Sequence, residues 1–266
     1  MKKWFQWLTI GSLLGFSLPA LADIGFTDVS EKELEQIVED FSANFAHTTV
    51  TGANTEGSIF GFQVGLIGGL TNTTNLEKLV KEFDATADAG KLPHGGLFGV
   101  VSVPMGFTFE ALVIPSLDAA GASFSNTGLA LKWTLTEAIP LPVDVALRAH
   151  YTKTSLEYSQ LIGSPAVDTK VEYNNTTTGV QALVGLNLRI LKPYLGVGTI
   201  SGDGEVNVKG TDTIFNFTSS TKASKKSTST QMIIGTEISL MLVKLGLEYS
   251  SLFGTDRYSA KLAVGF

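Results

Sequence analysis

The chain ends on Tyr258-Ser259-Ala260-Lys261-Leu262-Ala263-Val264-Gly265-Phe266, and the reading of this stretch decides the fold. In a strand, Tyr258, Ala260, Leu262, Val264 and Phe266 share one face, while Arg257, Ser259 and Lys261 share the other. The last residues of a water-soluble domain tend to fray, so a terminal phenylalanine would bury nothing there. The apolar row has a use if it faces hydrocarbon and the polar row faces a wet interior.

The same alternation recurs upstream. In 59–67, Phe60, Phe62, Val64 and Leu66 oppose Gly61, Gln63 and Gly65. In 128–135, Leu129, Leu131, Trp133 and Leu135 oppose Lys132 and Thr134. Segment 143–152 sets Val143, Val145, Leu147, Ala149 and Tyr151 against Asp144, Arg148, His150 and Thr152. Segments 179–189, 231–240 and 243–250 repeat the plan, with Gln181 and Arg189, then Gln231 and Glu237, then Lys244 and Glu248, on their polar rows. Segments 97–103, 106–115 (with Glu110) and 193–208 also read as strands, although the face of Tyr194 and Leu195 stays open. Ten strands result.

Composition narrows the class. Charged residues make up 17 % of the 266 residues, below the roughly 25 % of soluble domains. There is no cysteine, which excludes disulfides and thiolate metal sites. A net charge of −6 argues against nucleic acid as a partner, since such proteins carry a basic surface. Lys2 and Lys3, the short apolar stretch from Leu8 to Leu18, and Ala20-Leu21-Ala22 have the form of a secretory signal covering 1–22. After it no apolar run is long enough for a membrane helix, which needs about 20 residues.

A soluble β-sandwich alternates too, but its outward rows are rich in Glu and Lys. Here the polar rows hold Gly, Ser, Thr, Gln and scattered charges. The links also alternate between brief and long. With the last strand descending to the periplasm, the links near 104–105, 136–141, 190–192 and 241–242 lie inside. The links 72–95, 117–124, 159–170, 209–229 and 251–255 lie outside, as in membrane barrels. That topology puts Phe60, Phe107, Trp133 and Phe266 near the inner rim and Tyr151, Tyr249 and Tyr258 near the outer one, giving two aromatic girdles. The expected fold is all-β: a transmembrane antiparallel up-and-down barrel over 58–266, preceded by a short helix.

The signal-like start, the alternating strands and the terminal Phe266 with Tyr258, Ala260, Leu262 and Val264 resemble the Gram-negative outer-membrane β-barrel class. In that class the terminal strand is the signature read by the barrel-assembly machinery. "LPHGGLFGVVSVPMGFTFEALVIP" (92–115) and "LKPYLGVG" (191–198) are similar to poorly characterised porin-like barrels, distantly reminiscent of long-chain fatty-acid transporters. The resemblance implies the bacterial outer membrane as location, and its lipid and lipopolysaccharide as partners.

Residues 23–57 do not alternate. Ser30 with Glu33 makes a capping box, and Leu34, Ile37, Val38, Phe41 and Phe45 fall on one helical face. The segment holds eight acids and one base. It either plugs the lumen or packs at the periplasmic rim; the rim is favoured because a helix about 10 Å wide leaves little room in ten strands. A second helix is expected at 74–83, in an outer loop, as a lid or on the outer leaflet. Lys222, Lys225 and Lys226 are placed to meet lipopolysaccharide phosphates or plain solvent.

The lumen-facing set is Glu110, Asp144, Glu237 and Glu248 with Lys132, Arg148, Arg189, Lys244, Arg257 and Lys261, plus His150. Such charges pair or line water. The three histidines do not form a catalytic set by spacing: His47 precedes the barrel, His94 falls in an outer loop, and His150 faces inward beside Arg148. No pair has metal-ligand spacing. The expectation is a monomeric barrel without catalytic residues, metal or cofactor. It serves passage or uptake of small or hydrophobic solutes or, alternatively, is a structural or adhesive barrel with a closed, salt-bridged interior.

Overall fold

The computed structural model describes residues 29–57, 59–83, 89–119, 122–137, 143–162, 167–209 and 222–266; the signal-like segment 1–22 lies outside them. Helix α1 spans Glu31–Phe45 and helix α2 Thr74–Phe83. Ten strands follow the expected order: β1 Gly61–Asn72, β2 Lys91–Val103, β3 Phe107–Ala119, β4 Ala122–Thr134, β5 Val143–Ile162, β6 Val167–Leu186, β7 Leu191–Lys209, β8 Lys222–Leu240, β9 Val243–Leu252 and β10 Thr255–Gly265. Each pairs with its chain neighbours, and β1 pairs antiparallel with β10, so the sheet closes and leaves no edge. No helix among the described residues is long and apolar enough to cross a membrane.

The terminal row faces outward as read. Tyr258, Leu262, Val264 and Phe266 are exposed while Arg257, Ser259 and Lys261 are buried inside. Leu66, Leu97, Leu129, Leu147, Val184 and Leu247 continue the belt round the barrel. On β7, Tyr194 turns inward and Leu195 outward. The girdles also form: Phe107 stacks on Trp133 at 5.7 Å, Phe62 meets Phe266 edge-on at 4.7 Å, and Tyr249 lies 5.3 Å from Tyr258.

Several strands outrun the expectation, β5, β6 and β8 by the most, while β7 matches the expected 193–208 closely. Segment 143–152 continues to Ile162, and its partners begin at Val167, reach Lys209 and resume at Lys222. At about 3.3 Å per residue and a tilt near 40°, twenty residues rise roughly 50 Å, about twice the height of an apolar belt. The cause of the short reading is visible on β5. Outward residues run Leu147, Ala149, Tyr151 and then Lys153, Ser155, Glu157. Inward residues run Arg148, His150, Thr152, Thr154 and then Leu156, Tyr158. The two rows keep their faces but exchange polarity, so an alternation scan sees the strand stop. Parts of the expected loops 117–124, 159–170 and 209–229 are therefore strand; 120–121, 163–166 and 210–221 lie outside the described residues.

Helix α1 occupies this upper barrel. The rim placement favoured from the sequence does not hold, because the lengthened strands make a second storey that the ten-strand estimate omitted. Ser30 Oγ accepts from the Glu33 N–H at 3.3 Å and the Ser30 N–H donates to Glu33 Oε2 at 2.6 Å, so the capping box forms. Leu34, Ile37, Val38 and Phe41 pack in one core with Phe124, Leu156, Tyr158, Val171 and Tyr173. Gly202 and Gly204 of β7 permit that approach: a Cβ on them would lie 2.0 Å from Ser42 Oγ and 2.3 Å from Val38 Cγ2. Helix α2 joins the same core through Leu76, Leu79 and Val80. It covers α1 at the long-loop end and does not rest on lipid. Asp40 of α1 caps it, accepting from the Leu76 N–H at 2.8 Å and from Asn75 Nδ2 at 3.2 Å.

Candidate functional site: the barrel lumen

Below α1 the chain turns into the membrane-level lumen. Residues 46–54 are all buried, Thr55 is half-buried, and the segment runs down to the start of β1. Its sequence, Ala46-His47-Thr48-Thr49-Val50-Thr51-Gly52-Ala53-Asn54, is mostly short side chains and hydroxyls, which lets the chain fit among the inward rows of ten strands.

Glu110 of β3 is the centre. Its carboxylate accepts from Thr49 Oγ1 at 2.6 Å and Thr51 Oγ1 at 3.1 Å, and lies 3.2 Å from His47 Nε2. Arg148 approaches it at 3.6 Å and Lys132 at 3.9 Å, all with side chains essentially out of solvent. The two cations also hold the segment's backbone. Lys132 Nζ donates to the carbonyls of Gly52 and Asn54 at 2.8 Å each, and Arg148 donates to Thr51 O at 3.5 Å and to Gln181 Oε1 at 2.6 Å. A buried charge is tolerated when paired and hydrogen-bonded. Here the segment supplies hydrogen bonds to Lys132 and Glu110, and Gln181 supplies the shortest one to Arg148.

Other wall residues bind the segment in the same manner. Thr48 donates to Glu248 at 2.8 Å, Thr134 to Ala53 O at 2.6 Å, Asn54 to Asp144 at 2.5 Å, and the Glu56 N–H to Ser102 Oγ at 2.9 Å. Tyr194 donates to the second oxygen of Glu248 at 2.8 Å. A second cluster joins wall to wall: Lys261 to Glu237 at 2.6 Å, Gln63 to Glu237 at 3.0 Å, and Lys192 3.5 Å from the same carboxylate. Lys244 reaches Ser239 at 3.1 Å.

Ten of the eleven lumen residues expected from sequence thus line the interior. Arg189 does not: β6 ends at Leu186, Arg189 sits in the short turn with φ 64° and is exposed. The period-two pattern of the sequence runs on past the end of β6. His94 is not in a loop but on β2, buried, with Nδ1 3.2 Å from Thr71 Oγ1 and Nε2 2.9 Å from Ser259 Oγ. That Ser–His pair has a threonine where a hydrolytic triad has its orienting carboxylate, and Arg257 Nε lies 3.4 Å from the same His94 nitrogen. His47 is inside the barrel rather than ahead of it. Among the described residues His150 meets no hydrogen-bond partner at either ring nitrogen, and no cluster of metal-ligating side chains occurs.

The acids of α1 find their cation above the membrane-level lumen. Glu31 and Glu35 of α1 meet Lys225 of β8 at 2.8 and 3.5 Å, in the upper barrel; Lys225 lowers the Glu31 pKa by hydrogen bond and charge. Lys222 pairs with Glu205 at 2.8 Å. Residues missed by the sequence reading are His47, Thr48, Thr49, Thr51, Lys192 and Tyr194. Of these, Lys192 lies one residue inside β7, which begins two residues before the expected 193.

Among solved structures, the chain is similar to Ail, the attachment invasion locus protein of Yersinia pestis, at 10 % identity over 80 % of this chain and 100 % of that one, TM-score 0.33. It is similar to the translocator domain of the autotransporter NalP from Neisseria meningitidis at 9 % identity over 79 % and 89 %, TM-score 0.45. It is also similar to the outer membrane protease OmpT from Escherichia coli at 9 % identity over 80 % and 98 %, TM-score 0.40. At these scores the likeness adds no functional argument. No curated protein matches the chain. The chain belongs to the family described as "Family of unknown function (DUF6588)", which matches residues 2–266.

Proposed function

We propose that this member of the family is an outer-membrane barrel of Gram-negative bacteria closed by its own N-terminal segment, a structural or adhesive barrel that presents its upper storey outside the cell. The observation that carries the reading is the Glu110 cluster. Lys132 donates to the carbonyls of Gly52 and Asn54, and Arg148 is engaged with Gln181, Glu110 and the Thr51 carbonyl, so the residues best suited to select a permeating ion are engaged with the chain itself. The apolar packing of α1 between Phe124, Leu156 and Tyr173 supports a fixed upper storey. An uptake barrel is the second reading, favoured by the hydrogen-bonded hold on 46–56, which water can replace.

Conductance of the purified protein in planar bilayers tests the two. The closed reading expects a silent bilayer. Steady open-channel current overturns it, and reversible current steps favour a segment that withdraws.

A further inference from the structure

The short-turn end of the barrel carries an unusual surface. Ile59, Met105, Leu188, Ile190, Met241 and Leu242 occupy the turn tips or the entry to β1, and all are exposed, Met241 by 94 %, Met105 by 79 % and Ile59 by 72 %. Turns that stand in periplasmic water have no use for such side chains, and an exposed contiguous apolar surface marks an interaction site. The tips run on without a break from the outward rows above them, ending for example at Val103, Leu186, Leu191, Leu240 and Val243.

The height of the belt says what covers the tips. Its upper edge lies where outward residues turn polar: above Tyr151 at Lys153, above Met232 at Thr230, above Val180 at Thr178. From there down, the rows Leu97 to Val103, Val180 to Leu186 and Val197 to Leu191 rise about 15 Å, and the rows Met232 to Leu240 and Tyr258 to Phe266 about 20 Å, at 3.3 Å per residue and a tilt near 40°. A barrel belt is about 25 Å tall. The missing height is supplied when the turn residues are counted in. Exposed Arg189, set between Leu188 and Ile190, then has a place, because a long cation among apolar neighbours reaches to the head-group level.

We infer that the short turns are seated in the inner leaflet of the membrane, with Met105, Leu188, Ile190, Met241 and Leu242 against phospholipid acyl chains and Arg189 at the phosphates. The inference rests on the reading of the belt as lipid-facing, and adds where its lower edge lies.

The chain's lack of cysteine permits a direct test by nitroxide labelling of single-cysteine variants in phospholipid vesicles, with folding checked by heat-modifiable migration. Labels at Met241→Cys and Met105→Cys are expected to collide with oxygen in preference to a water-soluble nickel chelate, as at mid-belt Leu247→Cys, and several-fold more so than at Lys153→Cys. Nickel-dominated collisions at both tips, with Leu247→Cys still oxygen-dominated, overturn the inference and leave the tips free in water for a soluble protein. Nickel-dominated collisions at Leu247→Cys instead overturn the membrane reading itself. Two tips on different turns keep the test alive if one variant does not fold.

Discussion

The lower and upper halves of this barrel are built from the same strands with opposite solvents. At membrane level the outside is apolar and the inside carries Glu110, Lys132, Arg148, Glu237 and Lys261; in the upper storey the outside carries Lys153, Glu157 and Lys222 and the inside holds Leu156, Tyr158, Val171 and Tyr173. The backbone is indifferent to the change: register runs unbroken from Val143↔Leu186 to Ile162↔Val167. What differs is the means of holding the N-terminal segment. Above, α1 is held by buried apolar surface, at about 25 cal/mol per Å². Below, 46–56 is held by hydrogen bonds and charge, each modest in net terms but costly when left unmade. The upper storey is a soluble protein's core and the lower one an inverted protein.

The comparison breaks most severely at Glu110. Glu110→Ala removes the only carboxylate within 4 Å of both Lys132 and Arg148 among the described residues. Stranding buried cations in this way costs about 3–5 kcal/mol. The expected outcome is a fall of that size in urea-unfolding stability in detergent or vesicles, with release of 46–56 seen as faster proteolysis there. A loss below about 1 kcal/mol would mean that the cluster is hydrated and weak.

A matched pair of substitutions tests the reversal of the outer face. Leu247→Arg places a charge in the belt and is expected to cost about 2–4 kcal/mol, the cost of arginine near a bilayer midplane. Thr228→Arg, outward on β8 in the upper storey, is expected to stay within about 0.5 kcal/mol. Equal effects at the two sites would erase the distinction between the halves.

How much of this was legible beforehand follows the same division. The belt, the count of ten strands, the closing terminal row, the capping box at Ser30 and the helix at 74–83 were all readable, because one hydrocarbon solvent imposes one period and one polarity. The upper storey was not, because its rows exchange polarity between Tyr151 and Leu156 and so mimic a strand's end. The plug-like course of 46–56 was not readable either: Thr49 and Thr51 have no periodic partner, and their role exists only through Glu110, some sixty residues along the chain. Arg189 failed for a local reason, a turn that began before the alternation stopped.

Asp40 gives the most selective of the expected effects, confined to the upper storey. Burial raises its pKa from 3.8 to about 6, against the lowering by its hydrogen bonds from Leu76 and Asn75. A carboxyl whose folded pKa is raised holds a proton that the undocked form gives up. Below pH about 4 both forms are protonated and docking of α2 on α1 bears no penalty. Between pH 4 and 6 the docked form loses its advantage, and above 6 the full cost of burying the charge is in place, no more than about 3 kcal/mol. A nitroxide at Lys78→Cys, exposed on α2, is therefore expected to gain mobility as pH rises from 4 to 7. Asp40→Asn keeps an acceptor for the Leu76 N–H without the charge, so in that background the mobility should be flat with pH. A label equally immobile across the range in the unaltered background would show that the α2 contact is held by Leu76, Leu79 and Val80 alone, and that the polar cap contributes nothing to the apolar half of the barrel.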